Sequence, residues 1–303
     1  MLQDVVDNYI NMLSKGEDEH GSGNRNTIMA YRNDLSQLCN YLQSEGVEQW
    51  SQVTREQIAA YLLQMREGRA YRPTTVARKL AALKSFFRYL HTKELIASDP
   101  VEKLEAPRIQ KDLPQVLSPE QINHLFAQVD QTTPAGLRDF AMLHILYSTG
   151  MRASEIVSLN LDDFDASSAT ITCLAHEEQT KPERVLPLSS VALAAVLEYL
   201  ERARPCLARP AKEQRALFLN HHGERLTRQG FWLIIKSYAR QAGITDITPH
   251  MVRHSFALLM LKGGMELRSI QALLGHAHIS TTQVYSQLAH PPLPPDNQEE
   301  WGK

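Results

Sequence analysis

The stretch T248-P-H-M-V-R-H-S-F-A257 combines a helix start with two side chains suited to binding an anion. Thr248 is a preferred N-cap residue and Pro249 suits the first helical position. His250 and Arg253 are three residues apart, so they share one face of the predicted helix. His250 also lies in the first turn, where unpaired N–H groups and the positive end of the helix dipole attract anions. Because the planar guanidinium of Arg253 can hold two phosphate oxygens, the stretch predicts a phosphate site.

A second arginine lies in the stretch T149-G-M-R-A-S-E-I156. Gly150 predicts the end of a helix, which would present Arg152 at the mouth of a turn. A structural role has equal support, because Glu155 stands three residues later and can form an ion pair with Arg152. The sequence leaves both interpretations open.

Two more polar residues follow near the end of the chain, His276 in L273-L-G-H-A277 and Tyr285 in T281-T-Q-V-Y-S286. Taken alone, each has a structural explanation, as a capping histidine and as a core or interface tyrosine. His276 and His278 could also bind a metal ion, but no carboxylate or cysteine stands nearby at ligand spacing. Two arginines, two histidines and a tyrosine are instead the groups needed to hold a phosphodiester and attack it covalently. We therefore expect neither a metal nor a cofactor.

Basic residues are concentrated in one segment of a nearly neutral chain. The 303 residues carry a net charge of −2, yet eight arginines and lysines and a single glutamate lie between Arg66 and Lys93. A local basic stripe suits DNA that is bound and then released, although a solvated helix face is the alternative. The scarcity of acidic residues favours DNA. We predict contacts to phosphates or base edges from five residues, Arg72, Arg78, Lys79, Lys84 and Arg88.

The pattern of apolar residues predicts two domains. Residues 1–97 have helical periodicity throughout, residues 98–114 are a proline-containing linker, and residues 115–289 form a second domain. The proline-rich tail, residues 290–303, is predicted to be disordered. Within the second domain we expect one β-hairpin, from strands near 169–174 and 184–188, and helices over 135–147, 190–203, 228–241, 249–262, 266–274 and 281–289. The fold class is therefore mostly α-helical with a small antiparallel sheet.

The composition favours a cytoplasmic protein that does not associate with membranes. No apolar run approaches the roughly 20 residues of a membrane span, and the N-terminus lacks the basic and apolar regions of a signal peptide. The three cysteines are far apart, which fits a reducing compartment.

The assembled pattern resembles the tyrosine recombinases of the phage integrase and Xer superfamily, and is most similar to the Xer-type enzymes. Their signature runs Arg, Lys, His-x-x-Arg, His or Trp, and Tyr, and here the arginines, histidines and tyrosine match in order at Arg152, His250, Arg253, His276 and Tyr285. The resemblance extends over almost the whole chain. It implies a helical SAM-like N-terminal domain, which completes a clamp around DNA, and an α+β catalytic domain.

The lysine of the signature is less well matched. The resemblance implies a lysine at the tip of the hairpin, and Lys181 in Q179-T-K-P-E-R-V-L-P-L188 is the lysine available there. Its spacing to Pro187 is shorter than in the family, and Pro182 follows it directly. Either Lys181 reaches the site from a tighter loop, or protonation of the leaving oxygen is impaired. A solvated turn residue is the structural alternative.

The resemblance also implies a mechanism. Tyr285 attacks the scissile phosphate, forms a 3′-phosphotyrosyl bond and releases a 5′-hydroxyl, which another strand then supplies to reverse the step. A phenol is a weak nucleophile at neutral pH, so it needs a nearby base, for which His250 is the candidate. His276 would orient the phosphate or share proton transfer. Arg152 and Arg253 would neutralise the non-bridging oxygens, and Lys181 would protonate the leaving oxygen.

The partners implied are a specific double-stranded DNA site, a tetramer of protomers on DNA, a paralogous recombinase and a septal DNA translocase. After Leu288 the chain continues with prolines and acids, so coupling through a C-terminal helix is not expected. Resolution of chromosome or plasmid multimers, which links the protein to chromosome segregation and cell division, is the predicted role. The alternatives are an integrase of a phage or mobile element, a DNA-binding relative with impaired catalysis, a type IB topoisomerase and a regulatory protein.

Overall fold

The computed structural model describes residues 2–15, 25–67, 71–105, 107, 113–173, 183–209, 215–276 and 278–289. Lys181 and the tail predicted to be disordered lie outside these described residues, as do residues 106 and 108–112 of the predicted linker. The chain divides into two compact units, residues 1–111 and 112–303.

The first unit is helical, as predicted. Its helices are α1 (Leu2–Lys15), α2 (Arg25–Ser44), α3 (Arg55–Glu67) and α4 (Pro73–Thr92). Their apolar faces surround an aromatic centre, in which the rings of Trp50 and Phe86 lie 4.8 Å apart, edge to face. At the start of α3 the backbone N–H of Thr54 donates to the side chain of Gln57 at 2.9 Å, and the N–H of Gln57 returns a bond to the Thr54 hydroxyl. This capping box fixes the beginning of the helix.

The second unit combines helices with a small sheet. The strands β1 (Phe164–Asp165), β2 (Thr170–Cys173) and β3 (Arg184–Pro187) form an antiparallel sheet in that order, with Ile171 opposite Leu186. The predicted hairpin is confirmed, and β1 adds a third strand too short to give a periodic signal. The helices of this unit are α5 (Pro119–Ala127), α6 (Pro134–Thr149), α7 (Ala153–Ser158), α8 (Ser190–Glu198), α9 (Arg204–Leu207), α10 (Arg228–Gln241), α11 (Pro249–Lys262), α12 (Leu267–Leu274) and α13 (Ser280–Ala289).

The helix predicted over 190–203 differs from the observed one in its last turn. α8 ends at Glu198, and a π-helical turn over Tyr199–Ala203 leads directly into α9. The Tyr199 hydroxyl donates to the carbonyl of Leu217 and accepts from the N–H of Leu219, which holds this turn against the core. None of the described helices is long and apolar enough to cross a membrane.

Gly150 positions the residues that follow α6. It ends the helix in the left-handed conformation, with φ of 62°, which glycine adopts without strain. A Cβ atom there would lie 2.7 Å from the Leu274 side chain and closer still to Phe256. Glycine therefore lets the end of α6 meet both α11 and α12, and it places Arg152 at the N-cap of α7.

Candidate active site

Helix α11 begins where the sequence predicts. The N–H of Met251 donates to the Thr248 hydroxyl at 3.2 Å, and Pro249 takes the first helical position. The fixed start leaves His250 in the first turn and turns Arg253 towards the interior, where it is only 3% exposed.

The guanidinium of Arg253 is held by backbone carbonyls. It donates to Gly150 at the end of α6 and to Leu274 at the end of α12. Burial lowers the pKa of Arg253 to about 9, and the positive charge of Arg152 contributes to the shift. Arg253 therefore stays charged at neutral pH. Because these two partners are neutral, they leave its charge available to an anionic ligand.

Arg152 forms the ion pair with Glu155 that the sequence left open as its structural role. Its Nη1 atom pairs with Oε1 of Glu155 at 2.8 Å, and its backbone N–H donates to Oε2 of the same carboxylate at 2.7 Å. Its Nη2 atom also reaches the carbonyl of Gly275 at 3.3 Å. The side chain is still 24% exposed, so an ion pair orients a guanidinium that faces solvent.

His250 lies within the electrostatic range of both arginines. Shielding by the surrounding protein lowers its pKa, and the positive charges of Arg253, Arg228 and Arg152 lower it further. A neutral imidazole at pH 7 can accept a proton.

Tyr285 is buried on α13, with 0% of its surface exposed. Its hydroxyl oxygen lies 2.7 Å from Nδ1 of His254. Burial raises the pKa of Tyr285, and the positive charge of Arg253 partly offsets that effect. The phenol is therefore neutral in this arrangement, but it is not remote from the Arg253 guanidinium.

His276 lies against Tyr285, with the two rings nearly parallel and their centroids 6.5 Å apart. Its Nδ1 atom is 3.0 Å from the hydroxyl of Thr282, a buried residue on α13. The side chain of Gln271 donates to the His276 carbonyl. These contacts fix His276 in the turn between α12 and α13.

His254 was missed in the sequence, although it belongs to the same motif. It stands four residues after His250, on the same face of α11, and the two rings are 6.4 Å apart. Burial lowers the pKa of His254 to about 4, so its ring is neutral and Nδ1 can accept a hydrogen bond from the phenol. The i, i+4 spacing of the two histidines was the available signal.

Four of the six predicted catalytic residues, Arg152, Arg253, His276 and Tyr285, thus lie around the end of α12. His250 is within the electrostatic range of the two arginines, and Lys181 lies outside the described residues. The sequence did not single out Arg184, whose Nη2 atom lies 2.7 Å from Oε2 of Glu155. Within the part of the chain that the structure describes, no group of three or more histidine, cysteine or acidic residues could hold a metal ion.

The predicted DNA-binding residues do not share one environment. Arg72 and Arg88 are exposed and Lys84 is partly exposed, whereas Lys79 is 2% exposed with its ammonium 2.8 Å from a carboxylate oxygen of Asp34. Arg78 pairs with Asp34 as well, but its side chain remains 42% exposed. The expectation that Lys79 contacts DNA is therefore corrected, since its ammonium is buried against a carboxylate 45 positions away in the sequence.

Sequence comparisons identify both parts of the chain. Residues 115–290 match the model of the phage integrase family, and residues 6–94 match the phage integrase N-terminal SAM-like domain. A tyrosine recombinase XerC of Roseiflexus castenholzii is 46% identical over 267 residues, which cover 88% of this chain and 84% of that protein. A tyrosine recombinase XerD of Listeria innocua is 41% identical over 290 residues, which cover 95% of each.

Solved structures share the fold at lower identity. The XerH site-specific recombinase bound to palindromic difH substrate, a post-cleavage complex, has a TM-score of 0.71 at 21% identity, covering 87% of this chain and 76% of that one. A lambda integrase dimer bound to a COC′ core site has a TM-score of 0.71 at 17% identity, covering 100% and 98%. The chain therefore belongs to the phage integrase family of tyrosine recombinases, enzymes that cleave and rejoin DNA.

Proposed function

We propose that this recombinase cuts DNA with Tyr285 as the nucleophile, forming a 3′-phosphotyrosyl intermediate at a phosphate held by Arg152 and Arg253. The supporting observation is the meeting of both guanidiniums at the end of α12, with the charge of Arg253 acting on the phenol. Phosphoryl transfer depends mainly on positioning and on charge stabilisation, which two fixed guanidiniums supply. His276 orients the phosphate, and Lys181 protonates the leaving 5′-oxygen.

The hydrogen bond to His254 implies that Tyr285 must move before it attacks. In the described arrangement its side chain is fully buried and its oxygen bonds to an imidazole. DNA brings a phosphate, and with it negative charge, to the two arginines. The described hydrogen bonds of Arg253 are all to carbonyls, so its charge can attract that phosphate. His250 is exposed at the start of α11, where it can take the proton from the displaced phenol.

Separate changes of the two histidines distinguish their roles. We expect His250→Gln to slow single-turnover cleavage about 100-fold or more, as loss of a general base does. His254→Gln should leave the rate unchanged or raise it by up to about tenfold, because the neutral hydrogen bond that it removes must break before Tyr285 attacks. Wild-type cleavage should continue at pH values below about 6.5, because a lowered pKa keeps His250 neutral there. If His254→Gln slowed single-turnover cleavage more than His250→Gln does, His254 and not His250 would be the base.

The exposed basic residues of the first unit are proposed to contact DNA phosphates. Each phosphate contact contributes roughly 0.9 to the slope of log K against log salt concentration. Changing Arg72, Lys84 and Arg88 to glutamine should therefore reduce that slope by about 3. The matched control removes the same charge at three exposed residues outside the basic segment, Lys15, Arg55 and Lys103. Equal slopes for the two triple variants would contradict the proposal.

The biological role is proposed to be the resolution of chromosome or plasmid multimers. DNA is the partner. We propose that the protein acts at a specific recombination site as four protomers, with a paralogous recombinase and a septal DNA translocase as further partners. The alternative is an integrase of a mobile element, since the fold is shared with lambda integrase.

Mapping covalent attachment sites in cells separates these two roles. Protein-linked DNA would be recovered under denaturing conditions and sequenced, with Tyr285→Phe cells as the background. A single site in the host chromosome, together with accumulation of multimers in the variant, is the expected result. Attachment at both borders of a mobile element would instead favour the integrase.

A further inference from the structure

The end of α12 bonds to three arginines in succession. The carbonyl of Leu273 accepts from Nε of Arg184 at 3.0 Å. The next carbonyl, Leu274, accepts from Arg253, and Gly275 accepts from Arg152. The last carbonyls of a helix have no partner within the helix and carry its negative dipole end. This helix end is therefore a natural cradle for guanidinium groups.

Two of these arginines belong to the proposed phosphate site, and Arg184 is the third. It is the first residue of β3, so the sheet supplies it from a different part of the domain. Its side chain is 11% exposed. Gly275, in the left-handed conformation with φ of 61°, leaves room for it, because a Cβ atom there would lie 2.8 Å from Nη1 of Arg184.

Glu155 connects Arg184 to Arg152. One carboxylate oxygen pairs with the Arg152 guanidinium, and the other accepts from both the Arg152 backbone and Nη2 of Arg184. Burial alone would raise the pKa of Glu155, but the charges of Arg184 and Arg152 and their hydrogen bonds lower it. Glu155 is thus a stable anion held between two cations, and each arginine restricts the position of the other.

We propose that Arg184 is a positioning residue for DNA cleavage, which fixes Glu155 and the end of α12 so that Arg152 faces the scissile phosphate. This inference rests on the proposed role of Arg152. The planar fork of arginine is required, since Nε and Nη2 bond to two different partners at a fixed angle. The ammonium of a lysine is a single point donor on a flexible chain, so it cannot reproduce both bonds with the same geometry.

The test compares cleavage of two linkages at saturating protein concentration. One substrate carries the natural phosphodiester, and the other carries a methylphosphonate, which lacks one negative charge at the scissile position. Arg184→Gln should slow phosphodiester cleavage between about 10- and 100-fold, the cost of a small misplacement at a reacting centre. It should slow methylphosphonate cleavage much less, because a neutral linkage depends less on Arg152. Arg184→Lys should show the same pattern with a smaller loss, and it carries the test if the glutamine variant does not fold.

Arg204→Lys is the matched control. Arg204 is also partly buried and bonds to backbone carbonyls, those of Ala216 and Leu217, at a distance from Glu155 along the chain. The Arg204→Lys variant should leave the ratio of phosphodiester to methylphosphonate cleavage rates unchanged. Equal slowing of both linkages by the Arg184 variants, or no slowing of either, would overturn the proposal. Arg152→Gln is measured alongside. Normal phosphodiester cleavage by that variant would contradict the proposed phosphate site itself, and this inference would then fail as well.

Discussion

Tyr285→Phe should abolish the covalent protein–DNA complex and leave DNA binding intact. The change removes one oxygen atom, which is the proposed nucleophile, so we expect cleavage to fall by at least roughly 10⁴-fold. The ring itself packs in a small apolar cluster with Phe256, Ile270 and Leu274, and phenylalanine preserves that packing. Loss of the bond to His254 costs only about 0.5–1.5 kcal/mol of stability, too little to unfold a domain.

The measurement uses a substrate with a nick next to the cleavage site, because loss of the short fragment traps the covalent product. Denaturing electrophoresis then counts the adducts, and a native gel measures DNA binding. Tyr238→Phe is the matched control, since this tyrosine belongs to the same unit and its hydroxyl donates to Asp139 at 2.9 Å. A persistent adduct in Tyr285→Phe, or its loss in Tyr238→Phe, would contradict the assignment of the nucleophile.

Local signals in the sequence predicted the elements that position the site. Helix α11 begins at Pro249 because a threonine cap and a proline at the first position act within a few residues. Gly150 ends α6 for an equally local reason, its tolerance of positive φ. Since α6 ends and α11 begins at these residues, Arg152 lies just after the predicted helix end and His250 lies in the first turn of α11.

The contacts that the sequence did not predict are long-range. In the sequence Lys79 belongs to a basic segment, whereas in the structure it pairs with Asp34 of another helix. Arg184 and Glu155 are 29 residues apart, and no periodicity connects a strand residue with a residue in a short helix. Ion pairs of this kind depend on how helices pack against each other, so neither spacing nor composition encodes them.

Burial explains why these unpredicted contacts matter. A buried charge is costly unless hydrogen bonds and opposite charges compensate for it. Lys79 donates hydrogen bonds to the carboxylate of Asp34, which it shares with Arg78, and to the side chain of Gln37, so its ammonium has partners before any ligand arrives. The described hydrogen bonds of Arg253 are instead to carbonyls, so much of its charge remains uncompensated. The two buried cations therefore differ in their partners, which include a carboxylate for Lys79 and are neutral carbonyls among the described hydrogen bonds of Arg253.

Arg253→Gln should reduce cleavage by about 100- to 1000-fold, the effect of removing one donor from an oxyanion site. The amide retains hydrogen-bond donors but carries no charge, so negative charge that develops on the phosphate loses its nearest buried cation. DNA affinity should change little, because one phosphate contact among many contributes a small part of the binding. Single-turnover rates at saturating protein concentration separate the two effects.

The stability of this variant is controlled by Arg138→Gln. Arg138 is 6% exposed, and it bonds to the Leu219 carbonyl and to Asp139 in the same unit. Arg253→Gln leaves buried carbonyls without their donor, at about 1–3 kcal/mol each. Arg138→Gln also leaves the buried Asp139 carboxylate without its cation, which costs about 3–5 kcal/mol. Both variants should therefore melt at a lower temperature, Arg138→Gln the more so. Cleavage below the melting range should fall only in Arg253→Gln. If Arg138→Gln loses cleavage to the same extent, the effect of Arg253 is one of folding, and its charge has no special function at the phosphate.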